Sequence, residues 1–234
     1  MPKTLRLLLA GATGLIGGEV VDRLLGDAAW QGRLLVPARR ALPRSDPRLR
    51  IRIGSLDESD GSTRLREELA TLLEGEPLDT FISCLGTTLK TAGSREAFIA
   101  VDRELVLRLA GIARDLGARR AILVSSVGAS RQSGNFYLRV KGEVEDEFER
   151  GGFERLDILR PGLLMGDRQE RRSGEAAARR LAPWVNPLMI GRKLRRYRAI
   201  EAEVVARAIV RLCDETEPGI HMHEFDSIRR WAGA

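Results

Sequence analysis

Short apolar runs alternate with longer segments of helical period along the first two thirds of the chain. LRLLLA (5–10) has the apolar density of a buried strand, and GLIGGEVVDRLL (14–25) spaces its apolar residues as a helix does. GRLLVPA (32–38) and LRIRIG (49–54) predict two more strands, followed by a helix over 62–74 and a strand at DTFISCLG (79–86). SREAFIAVDRELVLRLAGIARDLG (94–117) predicts one long helix, opened by a serine cap and stopped at Gly117. RRAILVSS (119–126) reads as strand, NFYLRVKGEVEDEFER (135–150) as helix and RLDILRPG (155–162) as strand. Strands that are nearly all apolar, separated by helices, predict a doubly wound α/β architecture: a parallel sheet covered on both faces.

The alternation fades after residue 162. DRQERRSGE (167–175) is a polar loop, and EAEVVARAIVRLCDE (201–215) is a helix with one apolar stripe. The expectation is one domain over 1–234, in which residues 163–234 contribute a small substrate-side cap.

Composition narrows the class. Hydrophobic residues make up 43% and charged residues 31% of the 234, the balance of an ordinary globular protein. No apolar run approaches the roughly 20 residues that cross a bilayer, and the first run lacks a signal-peptide cleavage region. Two cysteines, Cys84 and Cys213, do not make a disulfide framework; they suit a reducing compartment, and a cytoplasmic location is expected. The net charge of +6 is spread along the chain, with its densest run at RKLRRYR (192–198). That run predicts a solvated face or a rim attracting an anionic substrate, and no nucleic-acid partner. His221 and His223, the only histidines, are two potential ligands without a third, so no metal is expected. A serine hydrolase is disfavoured because no GxSxG elbow occurs.

The first strand runs into GATGLIG, which places Gly11, Gly14 and Gly17 as GxxGxxG with Ala12, Thr13, Leu15 and Ile16 between them. Glycines in such a turn let backbone N–H groups approach a pyrophosphate, and the next helix aims its positive end at it. This is the position of a dinucleotide site in a Rossmann fold. The second strand ends in VPARR. A carboxylate would be expected here for a ribose 2′-hydroxyl, but Arg39 and Arg40 occupy the place and match a 2′-phosphate, favouring NADP(H). Asp57, just after the third strand, is a candidate contact to the adenine amino group.

At the other end of the chemistry stand Tyr137 and Lys141. The chain has two tyrosines and only four lysines among 39 basic residues, yet one of each falls four apart, on one helical face. GATGLIG, Ser125-Ser126, the Tyr137–Lys141 pair and LRPG (159–162) together resemble the short-chain dehydrogenase/reductase superfamily. More narrowly, CLGTT (84–88), VDREL (101–105), SSVGAS (125–130), NFYLRVKGEVE (135–145) and RPGLLMGDRQE (161–171) resemble its atypical, Tat-interacting-protein-like group. The resemblance spans about residues 5–175.

What the resemblance implies is specific. Tyr137 exchanges a proton with the substrate oxygen, and the Lys141 ammonium favours the phenolate while its point charge also meets the nicotinamide ribose. Ser126 holds the substrate carbonyl; Ser125 is the alternative, because strand alternation sends the two to opposite faces. Leu85 and Gly86 line the adenosine–ribose side, the backbone from Gly162 to Leu164 meets the nicotinamide amide, and Arg172 closes over the phosphates. Cys84 reads as a buried strand residue, not a nucleophile. Pro183, Trp184 and Met189 are candidate apolar walls for an unidentified small-molecule substrate.

The function implied first is an NADPH-dependent oxidoreductase passing hydride to a small carbonyl-type molecule. A second is an NADPH-binding redox sensor with a protein partner and little turnover. A third is a sugar-nucleotide epimerase or dehydratase, set lower because the C-terminal third is short and the arginines favour NADP.

Overall fold

The computed structural model of the chain describes residues 4–56, 62–165 and 195–234. Seven parallel strands form one sheet: β1 (Arg6–Ala10), β2 (Arg33–Ala38), β3 (Leu49–Ile53), β4 (Thr80–Ser83), β5 (Arg120–Val124), β6 (Arg155–Leu159) and, late in the chain, β9 (Gly219–His223). Their order is β3-β2-β1-β4-β5-β6-β9. The chain leaves β1 for one edge, then returns to start β4 on the other side. The strand order therefore reverses between β1 and β4, where an open α/β sheet leaves a crevice at its carboxyl ends.

Burial on both faces explains the unbroken apolar run Leu7–Ala10 of β1. In β1, Leu7 and Leu9 enter one core with helices α1 (Leu15–Gly26), α7 (Ala202–Leu212) and α8 (Phe225–Ala232). Leu8 and Ala10 face the other core, beneath α2 (Ser62–Leu73), α5 (Val106–Asp115) and α6 (Phe136–Arg150). A polar residue at any of these positions would leave one layer without its packing.

The long helix expected over 94–117 is divided. Ser94 caps it as predicted, its hydroxyl accepting from the Ala97 amide at 3.0 Å, after the short α3 (Leu89–Ala92). The helix then runs as α4 (Arg95–Ile99), a π-helical turn at Ala100–Leu105, and α5. Gly117, at φ +103°, ends it in the left-handed conformation that favours glycine. Periodicity cannot distinguish a π turn from the α-helix around it, since one inserted residue leaves the apolar stripe nearly intact.

The described part of the 163–234 segment does more than cover the sheet. A two-residue parallel pair, β7 (Leu164–Met165) with β8 (Ile200–Glu201), lies beyond β6. Helix α7 packs on α1, α8 on α7, and β9 extends the sheet beside β6. The arginines at the end of the basic run meet carboxylates of α8 and its cap: Arg195 pairs with Asp226 at 2.8 Å and Arg196 with Glu224 at 3.6 Å.

A buried polar cluster fixes β9 to β6. Asp157 accepts from Arg155 Nε at 2.7 Å and Nη2 at 2.9 Å, and its Oδ1 lies 2.9 Å from His223 Nε2. The other ring nitrogen of His223 is 2.9 Å from Ser227 Oγ, and Arg155 also donates to the Glu217 carbonyl. His223 is thus absorbed into structure, and among the described residues no group of three or more His, Cys, Asp or Glu is placed to hold a metal. Asp157→Ala would strand a buried guanidinium, and a loss of about 3–5 kcal/mol is expected from the usual cost of removing one member of a buried pair. Urea unfolding measures it; a change within error would mean that β9 is held by packing alone.

Candidate active site

Four loops at the carboxyl ends of β1, β4, β5 and β6 and one face of α6 enclose a cavity of about 420 Å³. Its wall includes Leu15 and Ile16, the Cys84–Thr88 loop, Ser125 and Ser126, Tyr137, Lys141, and Gly162 to Leu164. The sequence scatters these residues over 150 positions. The parallel sheet collects them, because every strand ends at the same rim.

The glycine turn is built by close approach. Gly11 sits at φ +86°, and a Cβ there would lie 2.7 Å from the carbonyl carbon of Cys84. A Cβ on Gly17 would lie 2.2 Å from the Gly11 carbonyl oxygen, so helix α1 can abut the turn only with glycine there. Gly14 caps α1 without a side-chain acceptor, and no acidic residue occupies the first turn. The first amides of a twelve-residue helix are left available to an anion. Across the sheet, Arg6 pairs with Arg33 and Leu8 with Leu35, which sets Gly11 level with Ala38. Arg39 and Arg40 follow directly, both exposed and without an ion-pair partner among the described residues. Asp57 and Arg172 lie outside the described residues, as do Pro183, Trp184 and Met189.

Tyr137 and Lys141 both face the cavity from α6, whose start is capped by Asn135 accepting from the Leu138 amide at 3.1 Å. The tyrosine ring packs against Phe98 of α4, with centroids 5.8 Å apart and planes tilted by 59°. Lys141 is almost wholly buried, 5% exposed. Its Nζ lies 2.9 Å from Oδ1 of Asp102, a residue of the π turn with no exposed surface. Burial pushes the lysine's pKa down, but the negative charge of Asp102, reinforced by Tyr137 and Glu145, outweighs it and the balance is upward. Asp102 Oδ2 accepts from the Thr87 amide at 2.8 Å, so one carboxylate holds both the lysine and the loop after β4.

Asp102 was legible only in part. It falls inside the VDREL motif, and it sits four residues after Phe98 and four before Val106, in the middle of the buried stripe. A carboxylate in that position signals a buried partner, but the identity of the partner depends on how α6 crosses. Glu145 has a similar role at the rear of the site: it is 2% exposed and receives Arg160 Nε at 3.0 Å, tying α6 to the end of β6. Gly142, next to the lysine, is a third residue without a sequence assignment. A Cβ there would lie 2.2 Å from the Ser130 carbonyl carbon, so glycine lets the loop after β5 rest on α6.

Both serines line the cavity. Ser126 is half-buried, whereas Ser125 is 6% exposed and its hydroxyl has no hydrogen-bond partner. Leu85 and Gly86 line the cavity, and a Cβ on Gly86 would be 3.7 Å from both Asp102 Oδ1 and Lys141 Nζ. Gly162 is crossed by the backbone at Tyr197 and Arg198, whose carbonyl oxygens would lie 2.9 Å and 2.4 Å from a Cβ. Cys84 follows β4 and is half-buried at the cavity wall, where it was expected as a buried strand residue, and desolvation pushes its thiol pKa up.

Nicotinamide dinucleotide chemistry fits this site on its own geometry. The glycine cradle excludes side chains where a pyrophosphate would lie, the first amides of α1 face it, and an unpartnered serine hydroxyl and a buried ammonium lie farther along the same rim.

Comparison with known proteins agrees. Residues 7–136 match the model of the NAD dependent epimerase/dehydratase family. The mitochondrial protein fmp52 of Aspergillus clavatus is 37% identical over 202 residues, covering 86% of this chain and 84% of that protein. HTATIP2 of Rattus norvegicus is 34% identical over 174 residues, covering 74% and 69% respectively. Among solved structures, MoeE5 in complex with UDP-glucose and NAD has a TM-score of 0.67 at 16% identity, covering 93% of this chain and 74% of that one, a likeness of fold. The chain belongs to the NAD dependent epimerase/dehydratase family, among the atypical short-chain dehydrogenase/reductases that its motifs resemble.

One expectation is overturned. The fmp52 relatives from Aspergillus and Candida albicans are named as mitochondrial proteins, so the cytoplasmic expectation does not stand. Two cysteines without a disulfide do not specify a compartment.

The glycine turn gives a direct test of the packing. Gly11→Ala must adopt a left-handed backbone and press its methyl against the β4 loop, and a loss of about 1–3 kcal/mol in unfolding free energy is expected. Unaltered urea unfolding would show that the loop yields freely.

Proposed function

We propose that this chain is an NADPH-dependent reductase acting on a small carbonyl-type substrate. The observation that carries the reading is the arrangement around Lys141: a buried, carboxylate-paired ammonium sharing one cavity with Tyr137 and two serines, at the rim where the glycine turn opens. When bound, the cofactor supplies the hydride. In this reading the amides of α1 and the Gly11–Gly17 turn hold the pyrophosphate, Arg39 and Arg40 take the 2′-phosphate, and Lys141 meets the ribose nearest the reacting ring. Asp57 and Arg172 keep their proposed contacts to adenine and phosphate.

Ser126 donates its hydroxyl hydrogen to the substrate oxygen, and Ser125 is the neighbour that could share the task. As the carbonyl carbon gains hydride, Tyr137 passes its phenolic proton to that oxygen, leaving an alcohol and a phenolate to be reprotonated from solvent. The 163–234 segment supplies the substrate side, beginning with Leu163 and Leu164 at the cavity wall.

Two measurements test this. Tyr137→Phe keeps the ring's packing on Phe98 and removes only the proton donor. NADPH affinity should hold within about twofold while turnover falls by at least 100-fold, the usual contribution of a positioned acid. Equal and negligible turnover in both forms, with NADPH binding intact, would instead support the sensing role with a protein partner. Replacing Arg39 and Arg40 together by serine should weaken NADPH by about 10- to 100-fold, as for loss of charged hydrogen bonds, and leave NADH nearly unchanged. Equal weakening of both cofactors, measured by fluorescence titration, would remove the NADP preference.

A further inference from the structure

We propose that Asp102 is a positioning residue whose carboxylate keeps Lys141 charged and in place, and at the same time clips the Cys84–Thr88 loop to it, making the cofactor loop and the acid–base pair one unit. The proposal rests on the reductase reading for its purpose, but its physical content concerns the lysine alone.

The geometry assigns separate work to the two oxygens. Oδ1 faces Lys141 Nζ at 2.9 Å, while Oδ2 accepts from the Thr87 amide at 2.8 Å. Asp102 is presented at this point by the π turn, which widens the helix between α4 and α5. The carboxylate has no exposed surface, so water cannot replace it as a partner for either group.

An ammonium 5% exposed needs a counter-charge to remain protonated. The other titratable groups around it are few. Tyr137 and Glu145 lie on its own helix, and Cys84 lines the cavity from the β4 loop, held there as a thiol. Glu145 is already engaged by Arg160, just after β6. Arg103, beside Asp102, faces away into an ion-pair group with Glu104 and with Glu143 of α6. Asp102 is therefore the one carboxylate among the described residues that meets the lysine directly and is not shared with an arginine.

Substitution can separate the two roles. In Asp102→Asn, one amide oxygen can still accept from Thr87, but the amide nitrogen turned toward Lys141 offers no charge. In Asp102→Ala both contacts disappear. The four lysines permit a direct readout by ¹³Cε-lysine NMR, with Lys141 identified as the signal lost in Lys141→Arg. In Asp102→Asn the Lys141 signal should titrate at a lower pH than in the parent protein, because the nearest charge that opposes the cost of burial is then gone. NADPH affinity should hold within about twofold in Asp102→Asn and weaken about tenfold in Asp102→Ala, the scale of one lost charge-assisted hydrogen bond. Turnover of Asp102→Asn should fail at a lower pH than that of the parent.

A Lys141 signal that titrates alike in parent and Asp102→Asn would overturn the proposal, whether or not the protein turns over any substrate. Equal loss of NADPH affinity in the two variants would overturn the division between the oxygens. Should Asp102→Ala not fold, the NMR comparison of parent and Asp102→Asn decides alone. Failure of the reductase reading would look different: the lysine would titrate as stated and no carbonyl compound would be reduced.

Discussion

An ion pair between Lys141 and Asp102, sealed from water, is the constraint around which the rim of this sheet is arranged. A lysine in that position is unfavourable by itself, since desolvation penalises its charge by more than packing of its stem returns. The carboxylate that offsets this comes from a helix more than thirty residues earlier, and it reaches the lysine because that helix opens into a π turn. The same carboxylate takes the Thr87 amide, which fixes the loop after β4. That loop in turn presses on Gly11, where nothing larger than hydrogen fits. One charged contact therefore connects the Tyr137–Lys141 end of the groove to the glycine turn through covalent chain and van der Waals contact.

The fold supplies the frame for this. Seven parallel strands end at one rim, and the reversal of strand order between β1 and β4 leaves the crevice open. Stability and site are kept on different parts of the molecule. The two apolar layers and the Arg155–Asp157–His223 cluster lie within and beyond the sheet's centre, whereas the charged pair sits at its carboxyl edge. Family membership follows from the chain's matches over most of its length, and it sets the chain among the nicotinamide-dinucleotide-binding proteins of the epimerase/dehydratase family. Choosing the reductase among these depends on the arginines after β2 and on the tyrosine.

Much of this was readable from residue pattern, for physical reasons. Strands buried on two faces are mostly apolar, so runs such as LLLA in β1 and AILV in β5 stand out; Ser94 and Gly117 mark helix ends through capping and left-handed geometry. Tyr137 and Lys141 are legible because helical spacing converts four positions into one face. Asp102, Gly142 and Glu145 were not assigned, because each acts across a tertiary contact whose crossing no local period encodes. The π turn escaped for the opposite reason, being too small a perturbation of a periodic stripe. Location was misjudged because cysteine chemistry reports redox state and not address.

The central claim is that one groove brings a dinucleotide's reactive end to the buried ammonium and the phenol together. A crystal structure of the chain soaked with NADPH tests this most directly. The account predicts ribose hydroxyls within about 3.2 Å of Lys141 Nζ, the nicotinamide beside the Tyr137 hydroxyl, and Asp102 still on the lysine. A nucleotide bound elsewhere, or bound here with Lys141 turned away from the ribose, would contradict it.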